Sequence, residues 1–248
     1  PDGRQVALGN EKEQDTAWMK YVEACTIESK ATTEPADIKI EVARGGEYKI
    51  RLEDGTTVWL NSESSLIYPE KFTGDKRAVR LSGEGYFEVA RNEKKPFIVS
   101  VTDMEIKVLG TKFNVTAYQD EKMTTTTLIS GAVEVVTPHR SVQLQPGKQA
   151  MVQEGGDDIT VLEVDVELAT SWTAGIFKFD KMALTDICTR LSRWYDIDFV
   201  FEGETGKEKF TGGTWKYVPL KDFLSKIERV TNVLFLFENN TVKVVPKK

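Results

Sequence analysis

Apolar and polar positions alternate through much of the first two thirds of this 248-residue chain. Val58 and Leu60, Leu66 and Tyr68, Val79 and Leu81, Phe87 and Val89, and Phe97 and Val99 are each one residue apart. That period of two belongs to strands with one buried face. Asp54-Gly55 stands between Ile50/Leu52 and Val58/Leu60, and both turn residues tolerate positive φ, so a hairpin is expected there. Gly74-Asp75, Pro146-Gly147 and Gly155-Gly156-Asp157-Asp158 punctuate later runs in the same way. Turns at intervals of about 8 to 12 residues are the cadence of a sandwich or barrel.

The runs also echo one another. Asp2-Gly3-Arg4-Gln5-Val6-Ala7-Leu8 repeats the spacing of Asp54-Gly55-Thr56-Thr57-Val58-Trp59-Leu60. Leu81-Ser82-Gly83 with Phe87-Glu88-Val89 returns loosely as Ile129-Ser130-Gly131 with Val133-Glu134-Val135. Residues 44–172 are therefore expected to form an all-β domain, either an antiparallel sandwich or a solenoid-like stacked sheet. Residues 1–43 read as an N-terminal strand and a polar connection, with 9–37 polar, poorly periodic and partly mobile.

The period changes after Trp172. Ile176, Phe177 and Phe179 suggest a strand, and Leu184, Ile187, Leu191 and Trp194 recur at helical steps. A strand at 197–201 and another at 210–217 follow, then a helix opened by Pro219 with Leu220, Phe223, Leu224, Ile227 and Val230 as its stripe. Val233–Phe237 and Val242–Val245 close the region as a hairpin around Asn239-Asn240. Residues 173–248 thus read as a small α+β domain of order βαββαββ, with both helices on one face of a sheet and the other face or an edge strand left open to partners. The chain is expected to have two domains in all.

Composition narrows the chemistry. The 33 basic and 39 acidic residues give a net charge of −6, interspersed rather than clustered, which argues against a nucleic-acid partner. No apolar run reaches the length of a membrane-spanning helix; the longest block, Val233–Phe237, has strand length. The chain starts at Pro1 without an initiating Met or a leader pattern, which reads as an excised or processed piece. Cys25 and Cys188 fall in different domains and read as apolar residues rather than a disulfide. Asn114, two residues before Thr116, and Asn240, beside Thr241, read as having no covalent role.

Candidate catalysis is sparse. His139, in Thr-Pro-His-Arg, has no nucleophile of recognisable setting beside it and reads as a turn residue. Gly83-Glu84-Gly85 lacks the third glycine of a dinucleotide loop, and 155–158 lacks the ligand alternation of a calcium loop. No enzyme activity, cofactor or metal site is expected. Trp194, Tyr195, Phe210, Trp215 and Tyr217 are the candidate partner-binding residues, because Trp and Tyr dominate binding hot spots, although Trp194 also lies on the helical stripe and suits a core.

The strand words Arg44-Gly45-Gly46-Glu47-Tyr48, Asp54-Gly55-Thr56 with Val58-Trp59-Leu60-Asn61, Gly83-Glu84, Tyr86-Phe87-Glu88-Val89 and Leu109-Gly110-Thr111 with Phe113-Asn114-Val115 together resemble the FecR family of anti-sigma regulators. The tail from Phe177 to Val245, with Arg193-Trp194-Tyr195, resembles the small secretin and TonB short N-terminal type domain. The resemblance implies a periplasmic receiver that binds the signalling domain of a TonB-dependent, SusC-like outer-membrane transporter and relays to an extracytoplasmic-function sigma factor. It implies an inner-membrane anchor in the full-length parent, and sigma-factor binding through a cytoplasmic segment outside this sequence. A carbohydrate-binding β module using Trp59 or Trp215 as a stacking platform is the alternative reading.

Overall fold

The computed structural model describes residues 37–102 and 104–247, together with the backbone of 25–29. The chain divides into two compact units, one through Ala169 and one from Thr170. The first unit is built from strands. β1 (Cys25–Ser29) pairs antiparallel with β2 (Asp37–Val42), and β2 with β5 (Ser64–Pro69). Both β1 and β2 lie where the sequence suggested a polar connection. The signal for β2 is nevertheless plain, because Ile38, Ile40 and Val42 alternate with Lys39 and Glu41, and Ile40 and Val42 are buried. The echo at 2–8 lies outside the described residues.

The Asp54-Gly55 hairpin joins β3 (Tyr48–Arg51) to β4 (Thr57–Leu60), and Gly55 has φ 87°. The loop is longer than a two-residue turn: Leu52 N–H donates to Thr56 C=O at 2.8 Å, and Asp54 Oδ1 accepts the Thr56 N–H at 3.0 Å. The remaining strands are β6 (Arg77–Glu88), β7 (Phe97–Val101), β8 (Met104–Val108), β9 (Lys112–Ala117), β10 (Met123–Ser130), β11 (Val133–Val136), β12 (Ser141–Leu144), β13 (Lys148–Gln153) and β14 (Ile159–Glu163).

β6 organises the unit. Its first half pairs with β5 and β7, and its second half with β4 and β9, so it passes from one sheet to the other. One sheet continues through β8 and β11 to β12, the other through β10 and β13 to β14. Ile40, Leu66, Phe97 and Ile106 from the first and Val58, Phe87, Phe113 and Leu128 from the second belong to the same buried cluster. The result is a nearly closed sheet around one core, with Phe87 and Phe113 stacked at 5.0 Å and 8° inside it. The pairing is not antiparallel throughout: β6 and β7 run parallel. β6 ends in one sheet, and the chain from 89 to 96 returns to the other beside the start of β6, which requires the same direction.

Two residues fix that crossing. Gly83 has φ 89°, and a Cβ there would meet Ser64 Oγ at 2.4 Å, so only glycine allows β6 to bend so close to β5. Arg77, only 2% exposed, pairs with Asp54 Oδ2 at 2.7 Å and donates to Ala90 C=O at 2.7 Å and Lys95 C=O at 2.9 Å. It ties the first hairpin to the return segment.

Beyond the short helix α1 (Val166–Thr170) and a 3-10 turn at Ser171–Ala174, the second unit runs β15 (Ile176–Ala183), α2 (Leu184–Tyr195), β16 (Asp198–Phe201), β17 (Lys209–Trp215), α3 (Leu220–Val230), β18 (Val233–Glu238) and β19 (Thr241–Pro246). This element order matches the sequence pattern, but the strands divide into two sheets rather than one. β15 pairs with β17; β16 lies parallel to β19, and β19 antiparallel to β18. Leu184, Ile187, Leu191 and Trp194 of α2 are buried, as are Leu220, Phe223, Leu224 and Ile227 of α3. Val230 departs from its expected stripe and is 73% exposed. The last hairpin turns at Asn239, with φ 51°.

Candidate protein-binding surface

β17 and the turn after it present alternate residues to opposite sides. Thr214 and Lys216 point inward and are buried, whereas Trp215 and Tyr217 are 58% and 63% exposed. Large aromatics are seldom left this open without a use, since each forgoes about 2 kcal/mol of burial. On the inner side the Lys216 ammonium lies 5.1 Å above the Trp194 ring, which Phe177 also approaches at 5.8 Å. Trp194 is therefore part of the core of this unit. Tyr195 is half-buried and its hydroxyl donates to Val218 C=O at 2.7 Å, which holds the turn carrying Tyr217. Phe210 is half-buried opposite Met182, past a register shift in β15. Of the five residues singled out by sequence, the structure exposes two, Trp215 at the end of β17 and Tyr217 in the turn after it, and Trp194 and Tyr195 contact this segment through Lys216 and Val218.

Trp59 offers no comparable platform. Lys49 Nζ sits 4.0 Å over its ring, and Tyr86 packs edge-on at 5.3 Å. Burial, followed by the Glu88 charge, raises the Tyr86 hydroxyl above its ordinary value, and hydrogen bonding to Glu88 raises Lys112. A groove of about 570 Å³ beside Arg91, Glu93, Lys107, Leu109 and Glu134 has no aromatic side chain in its lining.

A carboxyl group on β6 that sequence reasoning missed is buried at the crossing. Glu84 Oε2 accepts Asn61 Nδ2 at 2.8 Å, and Oε1 accepts Asn114 Nδ2 at 2.9 Å and Thr116 Oγ1 at 3.1 Å. Its own N–H donates to Ser64 Oγ at 2.8 Å. These donors satisfy the buried carboxyl group at the sheet crossing. The signal that could have found it is Asn114 and Thr116, polar residues that alternate with Phe113, Val115 and Ala117 along β9. His139 Nδ1 lies 2.7 Å from Asp157 Oδ2 on an exposed turn. Burial pushes the Cys188 thiol well above its ordinary range. Among the described residues no group of three or more His, Cys, Asp and Glu could hold a metal ion, and no helix is long and apolar enough to cross a membrane.

Comparison with known proteins places these features in a family. The FecR protein model matches residues 38–134 and the FecR C-terminal model matches 176–244. A crystal structure at 1.65 Å of a protein from Parabacteroides distasonis ATCC 8503, assigned as an anti-sigma factor, is similar at a TM-score of 0.79 and 30% identity, covering 85% of this chain and 99% of that one. A second, at 2.50 Å from the same organism and with the same assignment, is equally similar and covers 86% and 100%. No curated protein matches the chain. The matched residues take in both the β6 crossing and the open β17 strand, and the chain belongs to the FecR family of anti-sigma factors.

Proposed function

We propose that this chain is the periplasmic signal-receiving part of a membrane-anchored FecR-type regulator. In this reading the second unit binds the signalling domain of a TonB-dependent, SusC-like outer-membrane transporter. The first unit relays that event toward a sigma factor of the extracytoplasmic-function class, which the parent protein contacts through a cytoplasmic segment. The observation that carries the reading is the exposure of Trp215, at the end of a strand whose far edge is unpaired among the described residues, and of Tyr217 in the turn after it. Such an edge gains main-chain hydrogen bonds from a partner strand without a deep pocket. Family membership supports a regulatory rather than a catalytic role.

Relay requires that the partner bind one arrangement of the regulator more tightly than another. Calorimetric titration of the chain with a purified transporter signalling domain tests the first step. Saturable binding is expected, weakened by about tenfold or more in Trp215→Ala and Tyr217→Ala, as for interface anchors. Absence of heat and of any shift in melting temperature would remove the proposal. Trp59 is covered by Lys49 and Tyr86, so glycan stacking would fall to Trp215 alone. Quenching of Trp fluorescence by oligosaccharides, abolished in Trp215→Ala, would favour that alternative.

A further inference from the structure

The exposed strand edges of the second unit are not equivalent. On β18 the Phe235 N–H points away from β19 and is taken by Glu228 Oε1 at 2.7 Å. A carboxylate on an edge amide obstructs the addition of another strand. Among the described residues no carboxylate caps an outward amide of β17, and of its outward groups the Trp215 C=O is taken, by the Val218 N–H at 3.1 Å. Lys216 N–H donates to Gly175 C=O at 2.8 Å, so the Ile176–Trp215 pair lies between ladder hydrogen bonds and the Trp215 N–H faces outward. By alternation the N–H and C=O of Gly213 and Thr211 face outward too. All three residues are exposed, and among the described residues β17 pairs with β15 alone.

The charge around this edge is uneven. Lys209 and Lys181 are exposed at its far end and have no ion-pair partner among the described residues. The neighbouring Asp180 carboxylate accepts the Thr211 hydroxyl at 2.7 Å, and that hydroxyl accepts the Lys181 N–H at 3.0 Å. Lys and Arg outnumber Asp and Glu within residues 170–248, although the whole chain has 33 against 39. The free edge therefore has an aromatic end at Trp215, bare backbone at Gly213 and two lysines, Lys209 and Lys181, at its other end, where Asp180 is held by the Thr211 hydroxyl and Glu208 precedes Lys209.

We infer that the segment received by this unit is an extended strand that pairs with β17 rather than β18, sets an apolar side chain against Trp215 and turns carboxylates toward Lys181 and Lys209. The inference rests on the proposed function only in taking the occupant to be a protein segment. Two capped nonapeptides with Thr at every second position and, between them, two Val followed by three Glu in one and by three Lys in the other provide equal main-chain pairing with opposite charge and place Val and charge on the same face, as Trp215 and Lys209 are on β17. Titrated into the chain of residues 1–248 and followed by amide NMR, the acidic peptide is expected to bind at least about tenfold more tightly, a margin typical of complementary charge. Shifts are expected at Thr211, Gly213 and Trp215 and not at Phe235. The double variant Lys181→Glu/Lys209→Glu should reverse the preference, and Trp215→Ala should weaken both peptides.

Equal binding of the two peptides, shifts at β18, or binding of neither at millimolar concentration would overturn the inference. A signalling domain that binds the chain but ignores Lys181→Glu/Lys209→Glu also overturns it, while leaving the proposed function standing. An acidic strand held at β17 by a chain that binds no signalling domain does the reverse.

Discussion

At 2% exposure, Arg77 holds a full positive charge against Asp54 and two backbone carbonyls, and its guanidinium lies 5.3 Å from the Phe97 ring. Removing one partner of a buried pair leaves the other charge uncompensated, which costs more than the pair itself contributes. Arg77→Ala is therefore expected to destabilise the first unit by about 3–5 kcal/mol, read as a fall in the urea midpoint. Cys188 makes a different demand. Its burial raises the folded-state value, so the folded chain keeps a proton that the unfolded chain releases above about pH 8.5. This contribution is whole below that pH and declines as pH rises toward the folded value, by about 1.4 kcal/mol per unit. Cys188→Ala should flatten the loss of stability between pH 8.5 and 10; equal slopes in the two proteins would count against it. Neither the burial of the thiol nor the pairing of the guanidinium is visible in the sequence. Cysteine was assigned to a core on average tendency, and nothing in the spacing of Asp54 and Arg77 shows that they meet.

Strands and helices were legible because each carries its own period. Alternation marks β4 and β5, and steps of three and four mark α2 and α3, since burial of one face leaves that trace in any sequence. β2 carried the same trace in Ile38, Ile40 and Val42, hidden only by the polar stretch before it. Pairing partners leave no comparable trace. The parallel contact of β6 with β7 and the split of the second unit into two sheets depend on where the chain returns, not on which residues are apolar. Gly83 shows how a tertiary demand fixes a local residue. Gly83→Ala brings a Cβ to 2.4 Å from Ser64 Oγ at a positive φ, and an expected loss of about 1–3 kcal/mol should appear in thermal unfolding. Glu228 protects β18 in a similar way. Glu228→Ala exposes the Phe235 amide, so it should cost about 1–2 kcal/mol and increase self-association on size-exclusion chromatography.

For the molecule as a whole, the ladder order makes the first unit rich in contacts between distant parts of the chain, such as β2 with β5, β6 with β9 and β10 with β13. Closing those loops precedes any gain from pairing, so refolding is expected on a scale of about 10 milliseconds to seconds rather than microseconds. Stopped-flow fluorescence of Trp59 would report it. The candidate surface was half legible. The aromatic residues of the second unit stood out by type, but their sequence could not separate Trp194, which packs beneath Lys216, from Trp215, which faces solvent. By itself the amino-acid order determined that the chain is β-rich with a helix-bearing tail and that its words are those of FecR proteins. These are properties of periodicity and residue type. Only the tertiary structure decided that β6 joins two sheets around one core, that the β18 edge is capped while the β17 edge is open, and which aromatics remain exposed. Those outcomes depend on which distant backbone and side-chain groups come together, and the period of a single strand does not encode its neighbours.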